Sequence, residues 1–175
     1  PYVTTFAGLY RYNMNDLVQV GTKFHNAPRV FMIQKINGIV SITGEKLHEK
    51  QFFDAVALAS KELGIKVKFA IGFAVPEESR YHFYYEFEDQ NVGKEQMEKL
   101  NLKVDTLLQK ENIEYESKRE SFRLEAPVAH KLVPDAFEKF KTACLAEGMR
   151  DGQFKLNLLL QDEKRHAKFK QLTVE

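Results

Sequence analysis

The stretch KVKFAIGFAV, residues 66–75, alternates along its whole length. Val67, Phe69, Ile71, Phe73 and Val75 fall on one parity, and Lys66, Lys68, Ala70, Gly72 and Ala74 on the other. RYHFYYEFE, residues 80–88, repeats the pattern, with Tyr81, Phe83, Tyr85 and Phe87 set against Arg80, His82, Tyr84, Glu86 and Glu88. A period of two sends successive side chains to opposite sides of a strand, so each run predicts a strand with one buried face. Pro76-Glu77-Glu78-Ser79 joins them as a short loop. The pair therefore reads as an antiparallel hairpin with an aromatic inner face.

A face of that kind needs helices to cover it, and the chain supplies them. Phe52, Phe53, Val56, Ser60 and Leu63 recur at helical spacing over 47–63, and Gly64 is a natural stop. Met97, Leu100, Val104, Leu107 and Leu108 form the stripe of a second helix over 94–111. Pro134 and Asp135 open a third, lined by Phe137, Phe140 and Cys144 and ended by Gly148. The charged stretch 161–171 predicts a fourth, with the basic run Lys164 to Lys170 as its solvated face.

The remaining segments are β-like. Residues 1–8 are short and β-prone. Leu17 to Val20 and Arg29 to Lys35 predict a hairpin turning through Gly21 and His25-Asn26-Ala27-Pro28. Asn37-Gly38 is a tight-turn dipeptide, followed by a short strand over 39–42 and a break at Thr43-Gly44. Between 113 and 133 lie two more β-like pieces, SFRLEAP and VAHKLV. The fold class is α+β: a mostly antiparallel mixed sheet with helices packed on it, preceded by a β-hairpin. No internal repeat or low-complexity run interrupts it.

Composition narrows the function classes. The 175 residues suit one domain, or one domain with a piece of another. A net charge of +1 gives no whole-chain attraction to nucleic acid or an anionic membrane. No apolar run approaches the roughly 20 residues of a bilayer span. Cys144 is the single cysteine, which excludes an internal disulfide and fits a reducing, cytoplasmic setting. It sits on an apolar stripe, as a small core residue does. The chain opens on Pro1 and enters patterned sequence at once, as a segment of a longer polypeptide would.

Familiar catalytic signatures are missing. His48-Glu49 has no second histidine four residues on, and the five histidines are scattered, so no metal site is expected. There is no phosphate-cradling glycine loop of the P-loop type and no nucleophile elbow.

One stretch remains: TTFAGLYRYNMNDLVQV, residues 4–20. Asp16 stands between a polar loop and a strand. A carboxylate there can accept two hydrogen bonds from a vicinal diol such as a ribose, and Tyr12 can pack on a flat ring. The same aspartate can equally cap its own turn.

This stretch, with FHNAPRVFMIQK after it, resembles the nucleotide-binding segment of the Gretchen Hagen auxin-responsive family. These are acyl-acid amido synthetases of the adenylate-forming superfamily. The match runs through Thr4, Thr5, Ala7, Gly8, Leu9, Tyr10, Arg11 and Tyr12. The family's Tyr-Arg-x-Gly-Asp motif is met at Tyr12 and Asp16, with Asn13 in place of its arginine and Asn15 in place of its glycine. Residues 34–56 are similar to the superfamily hinge, with Lys35 at its basic position. GQFK, residues 152–155, is similar to a late Gln-aromatic-Lys motif, with Lys155 as its lysine and no proline-arginine after it.

The resemblance implies that residues 1–37 are the tail of a large adenylation domain and that 38–175 form a mobile C-terminal lid. It implies ATP with Mg2+, a carboxylic acid and an amino acid as partners, and a monomer. Asp16 would hold the ribose hydroxyls, Tyr12 would help shape the nucleotide site, Lys35 would lie at the hinge near ribose or phosphate, and Lys155 would carry positive charge to the α-phosphate or the carboxylate. The fragment alone is expected to be inactive. The competing expectation is a non-enzymatic ferredoxin-like module that binds RNA or a regulatory small molecule on an open aromatic sheet.

Overall fold

The computed structural model describes residues 1–14, 16–35, 38–148 and 157–174, with residues 34 and 35 as backbone. The chain divides into two compact units, Pro1–Gly38 and Ile39–Glu175.

The first unit is all β. Strand β1 (Tyr2–Val3) pairs antiparallel with β2 (Tyr12–Asn13), and β3 (Asp16–Phe24) pairs antiparallel with β4 (Ala27–Lys35). The second hairpin is longer than its sequence pattern. Gly21 lies inside β3 rather than in the turn, which falls at His25-Asn26, with His25 at φ 52°. Gly21 survives there because it faces Phe31: an added Cβ would stand 2.7 Å from the ring. The expected turn residue Asn37 lies outside the described residues.

The second unit opens with β5 (Ile39–Val40) and β6 (Leu47–His48), paired antiparallel. The expected strand over 39–42 stops after two residues because Ile42 and Thr43 give their N–H groups to the Glu45 carboxylate, at 2.7 and 2.8 Å, instead of to a ladder. Helix α1 (Glu49–Leu63) follows and ends on Gly64 in the left-handed region at φ 66°. Its buried row is Phe52, Ala55, Val56 and Ala59. Phe53 and Leu63 are exposed, so the stripe sits one position away from the large-residue reading.

The aromatic hairpin forms as β7 (Val67–Val75), a 3-10 turn (Pro76–Glu78) and β8 (Arg80–Phe87). Its register overturns the expectation of one buried face. Ala70, Gly72 and Ala74 stand opposite Tyr85, Phe83 and Tyr81, whereas Ile71 and Phe73 stand opposite Tyr84 and His82. Ile71 and Phe73 therefore share one side of the sheet with Tyr84, while Tyr81, Phe83 and Tyr85 take the other, and both sides are buried. Small residues of β7 make room for the tyrosines and phenylalanine of β8 on one side, which parity along a single strand cannot reveal.

Helix α2 (Lys94–Glu111) matches its predicted bounds. Helix α3 (Ile113–Glu120) was not expected. Asn112 starts it, its side-chain oxygen accepting from Glu114 N and Tyr115 N at 3.1 and 3.0 Å. Two turns with Tyr115 as the one buried residue are too short to give a stripe. SFRLEAP is not a strand. It is a loop held by Arg119 Nη1 to Leu124 O at 2.8 Å and Glu125 N to Ser79 O at 2.8 Å. Of VAHKLV, β9 (Val128–Lys131) pairs parallel with β8. Helix α4 (Ala136–Ala146) begins beside Asp135, but the capping carboxylate comes from Glu86 of β8, which accepts from Asp135 N and Ala136 N at 2.9 and 3.1 Å. Asp135 pairs with Lys68 at 2.6 Å. Strand β10 (Leu159–Leu160) adds parallel to β7, and α5 (Glu163–Lys170) starts at Asp162.

The sheet order is β10-β7-β8-β9, and it is covered on both faces. One core joins Phe52, Ala55 and Val56 of α1, Leu100 and Val104 of α2, and Tyr115 of α3 to Tyr81, Phe83, Tyr85 and Phe87. The other joins Ala136, Phe140 and Cys144 of α4 and Phe169 of α5 to Ile71, Phe73 and Tyr84. Phe73, Phe83 and Tyr85 are fully buried and Phe69 half-buried, as helices covering the sheet require, and the open aromatic sheet of the competing expectation is absent from the described residues. No helix among the described residues is long and apolar enough to cross a membrane.

Candidate functional site

In the first unit, the loop between β1 and β2 closes on itself. Thr5 N bonds Leu9 O at 2.9 Å, Gly8 takes φ 98°, and Arg11 N donates to Thr4 Oγ1 at 3.1 Å. The sequence Thr-Thr-x-Ala-Gly thus builds a short loop that returns the chain to Tyr12. Tyr12 is 55% exposed on β2, with its ring available to a partner. Three residues past β2 the long hairpin begins at Asp16, whose register partner is Lys35 at the far end of β4. Asp16 is buried, in contrast to the neighbouring Leu17 and to most of the hairpin.

Three of the four expected site residues therefore belong to this unit. Asp16 and Lys35 close the open end of the β3–β4 hairpin, and Tyr12 lies four residues before Asp16. The fourth, Lys155, and the GQFK motif around it lie outside the described residues, as does Asn15. Tyr12 offers an exposed ring, and Asp16 offers a carboxylate that only accepts hydrogen bonds. No group of three His, Cys, Asp or Glu with metal-holding geometry occurs among the described residues.

The second unit holds a concentration of titratable groups that the sequence did not announce. His82 Nε2 lies 2.9 Å from Glu78 Oε2, and His82 Nδ1 lies 2.8 Å from His130 Nε2. His166 Nε2 lies 2.8 Å from the Tyr84 hydroxyl. The His82 and His130 rings stack at 5.1 Å and 7°, Tyr84 stacks on His130 at 4.5 Å, and Phe73 stacks on His166 at 5.0 Å. Burial lowers all three histidines, His130 and His166 to about 4, and the Lys170 ammonium adds to the effect. Burial raises the Tyr84 phenol, so it stays protonated. The histidines are scattered at 82, 130 and 166, and only the strand and helix pairing brings them together. The one local signal was His82 sharing a parity with Tyr84.

Residues 50–164 match the GH3 family C-terminal domain, and residues 1–35 match the GH3 family central domain. The 4-substituted benzoates-glutamate ligase GH3.12 of Arabidopsis thaliana is 27% identical over 168 residues, 89% of this chain and 29% of the ligase. Indole-3-acetic acid-amido synthetase GH3.4 of the same plant is 31% identical over 168 residues, 88% of this chain and 27% of the synthetase. The solved structure of GH3.15 acyl acid amido synthetase superposes with a TM-score of 0.82 at 21% identity, over 100% of this chain and 32% of that one. The chain thus spans less than a third of the length of these relatives.

Proposed function

The chain belongs to the GH3 family, and we propose that it is the C-terminal part of an ATP-dependent acyl-acid amido synthetase, a monomeric ligase of the cytoplasm. In the whole protein a carboxylic acid would attack the α-phosphorus of ATP, releasing pyrophosphate and leaving an acyl-adenylate. The amine of an amino acid would then attack the acyl carbon and release AMP.

One observation carries the reading. The chain matches two domains of one family in order, with the Tyr12 to Asp16 motif in the first and the helix-covered sheet in the second. The names of the relatives, a benzoate-glutamate ligase and an indole-acetic acid-amido synthetase, favour an acid and an amino acid as the joined partners.

In this reading Asp16 accepts from the two ribose hydroxyls, because a carboxylate offers acceptors on both oxygens and no donor to compete with them. Tyr12 lends its exposed ring to the nucleotide. Lys35 stands at the hinge, and residues 38–175 are the moving lid that excludes water from the activated acid. Lys155 brings a cation to the α-phosphate, where charge develops. Mg2+ would travel with the triphosphate, and no described residue is assigned to it.

The deciding experiment is pyrophosphate release by the full-length protein, screened against mixed carboxylic acids with and without amino acids. Acid-dependent release followed by amide formation supports the proposal. Transfer to coenzyme A instead of an amine, or no release with any acid, overturns it.

A further inference from the structure

Three histidines from three separate elements meet on the sheet face that carries α4 and α5: His82 of β8, His130 of β9 and His166 of α5. We infer that they form an acid-releasable latch, which fastens β9 and α5 to the sheet at neutral pH and lets that layer come away on acidification while the α1–α2 layer stays in place.

The hydrogen bonds fix the protons. Glu78 is a carboxylate and can only accept, so the proton of a neutral His82 sits on Nε2. His82 Nδ1 is then an acceptor, and His130 Nε2 must donate to it across 2.8 Å. The chain Glu78, His82, His130 is complete with both rings neutral. Once both rings are charged, two N–H donors face each other at that distance, and the link between β8 and β9 breaks. A proton added to His166 would put a cation between Phe73, whose ring stacks on it at 5.0 Å, and His82, whose ring meets it edge-on at 5.1 Å.

Burial and the Lys170 ammonium oppose protonation of the cluster, while the Glu78 carboxylate favours it. The 3-10 turn contributes Glu78, already engaged with His82. β8 contributes Arg80, His82 and Tyr84, β9 contributes His130, α5 contributes His166 and Lys170, and β7 contributes the apolar Phe73. Around His166, Glu77, Asp162, Glu163 and Lys164 line the same cavity. Each histidine that charges raises the cost of charging the next.

Protons can reach the cluster. His166 lines a cavity of about 440 Å³ with Pro76, Asp162 and Lys164, and His130 lines another of about 410 Å³ with Gly93, Lys131 and Thr173. On the opposite face the acid-sensitive group is the Glu45 carboxyl, which is held below its ordinary range, so its contribution is lost only at lower pH. The buried polar residues of that face are Glu45, Asn101, Asp105 and Asn112, without a histidine.

The sign follows from linkage. Groups lowered in the folded state contribute their full share above about 6.5, their ordinary value, and lose it as the pH falls toward about 4. The test is hydrogen exchange by mass spectrometry on the full-length protein at about pH 7 and about pH 5, corrected for intrinsic rates. Amides of 163–170 should lose protection about tenfold or more relative to those of α1 and α2. The double variant His130→Gln, His166→Gln should lose most of that difference. Uniform loss across both layers, or an unchanged pH response in the double variant, overturns the latch. If the double variant does not fold, proton NMR of the wild-type histidines decides. Ring signals that titrate below about pH 5, together with release of α5, support the latch. Titration near 6.5 with α5 still protected refutes it.

Discussion

Gly72 of β7 lies directly opposite Phe83 of β8, and a Cβ on Gly72 would stand 3.2 Å from the Phe83 ring and 2.8 Å from Leu159 Cδ1 of β10. The closeness is the structural counterpart of the small-against-large pairing that buries both faces of the sheet. Phe83 and Leu159 are both fully buried, so neither can swing into solvent to make room. Gly72→Ala is expected to destabilise the protein by about 1–3 kcal/mol, the usual range for overpacking a filled core. Urea unfolding measures it. Leu159→Ala, which removes the nearest methyl, should recover part of the Gly72→Ala loss. Independent, additive losses would show that the two side chains do not compete for one space.

The loop that starts the second unit is tied down by a buried carboxylate. Glu45 accepts from Ile42 N, from Thr43 N and from the Tyr81 hydroxyl, and Asn112 Nδ2 bonds the Glu45 carbonyl at 3.1 Å. Burial pushes the carboxyl up, but the Tyr81 hydroxyl and the two backbone N–H groups outweigh it and hold the group below its ordinary range. A lowered carboxyl contributes stability above its unfolded value, and that stability is lost as the pH falls through its lower folded value. Glu45→Ala strands a buried phenol and two N–H groups and should cost about 2–4 kcal/mol. Glu45→Gln should cost less at neutral pH and flatten the acid limb of a stability profile. An alanine variant as stable as wild type would mean that the loop is held elsewhere.

Asp105 of α2 is buried and accepts from Tyr115 Oη at 2.8 Å and from Arg119 Nη2 at 3.1 Å, while Arg119 Nη1 also holds Leu124 O. Removing the arginine leaves a buried carboxylate with its main counter-charge gone. Arg119→Ala should destabilise by about 3–5 kcal/mol, whereas the double variant Asp105→Asn, Arg119→Met should cost clearly less. Thermal or urea unfolding of the two variants tests this directly. Equal losses would refute the uncompensated-charge argument.

The sequence was most informative where one periodicity ran long. Helices over 94–111 and from Pro134 to Gly148, and the hairpin of 66–88, emerge from it close to their observed bounds. It failed where the deciding partner lay far along the chain. The exposure of Phe53, the second buried side of β7 and the capping of α4 by Glu86 all depend on which element packs opposite. Helix α3 was hidden because its signal is a single cap, Asn112, and not a stripe. Of the candidate site, Tyr12, Asp16 and Lys35 were picked out by a family-like motif and a strand end, and their roles belong to the proposal. The histidine cluster was not, because His82 and His130 lie 48 positions apart and Tyr84 and His166 lie 82 apart.

Asp16 offers the sharpest test of the proposed chemistry, because it is buried at the open end of its hairpin opposite Lys35 and is assigned to a specific pair of hydroxyls. Asp16→Asn keeps the side-chain volume and one acceptor oxygen but removes the charge and the second acceptor. Loss of a charge-assisted bond of this kind is worth about 1.5–3 kcal/mol, so the KM for ATP in pyrophosphate release by the full-length protein should rise by roughly 10- to 100-fold. A second substrate separates ribose binding from a general loss of shape. In the wild type, 2′-deoxy-ATP should be penalised because one of the two hydroxyls is missing. In the Asn variant the penalty should largely vanish, because the group that discriminates is already weakened. A variant that melts at the wild-type temperature and still rejects 2′-deoxy-ATP as strongly as before would remove Asp16 from the ribose and return it to the structure of its own turn.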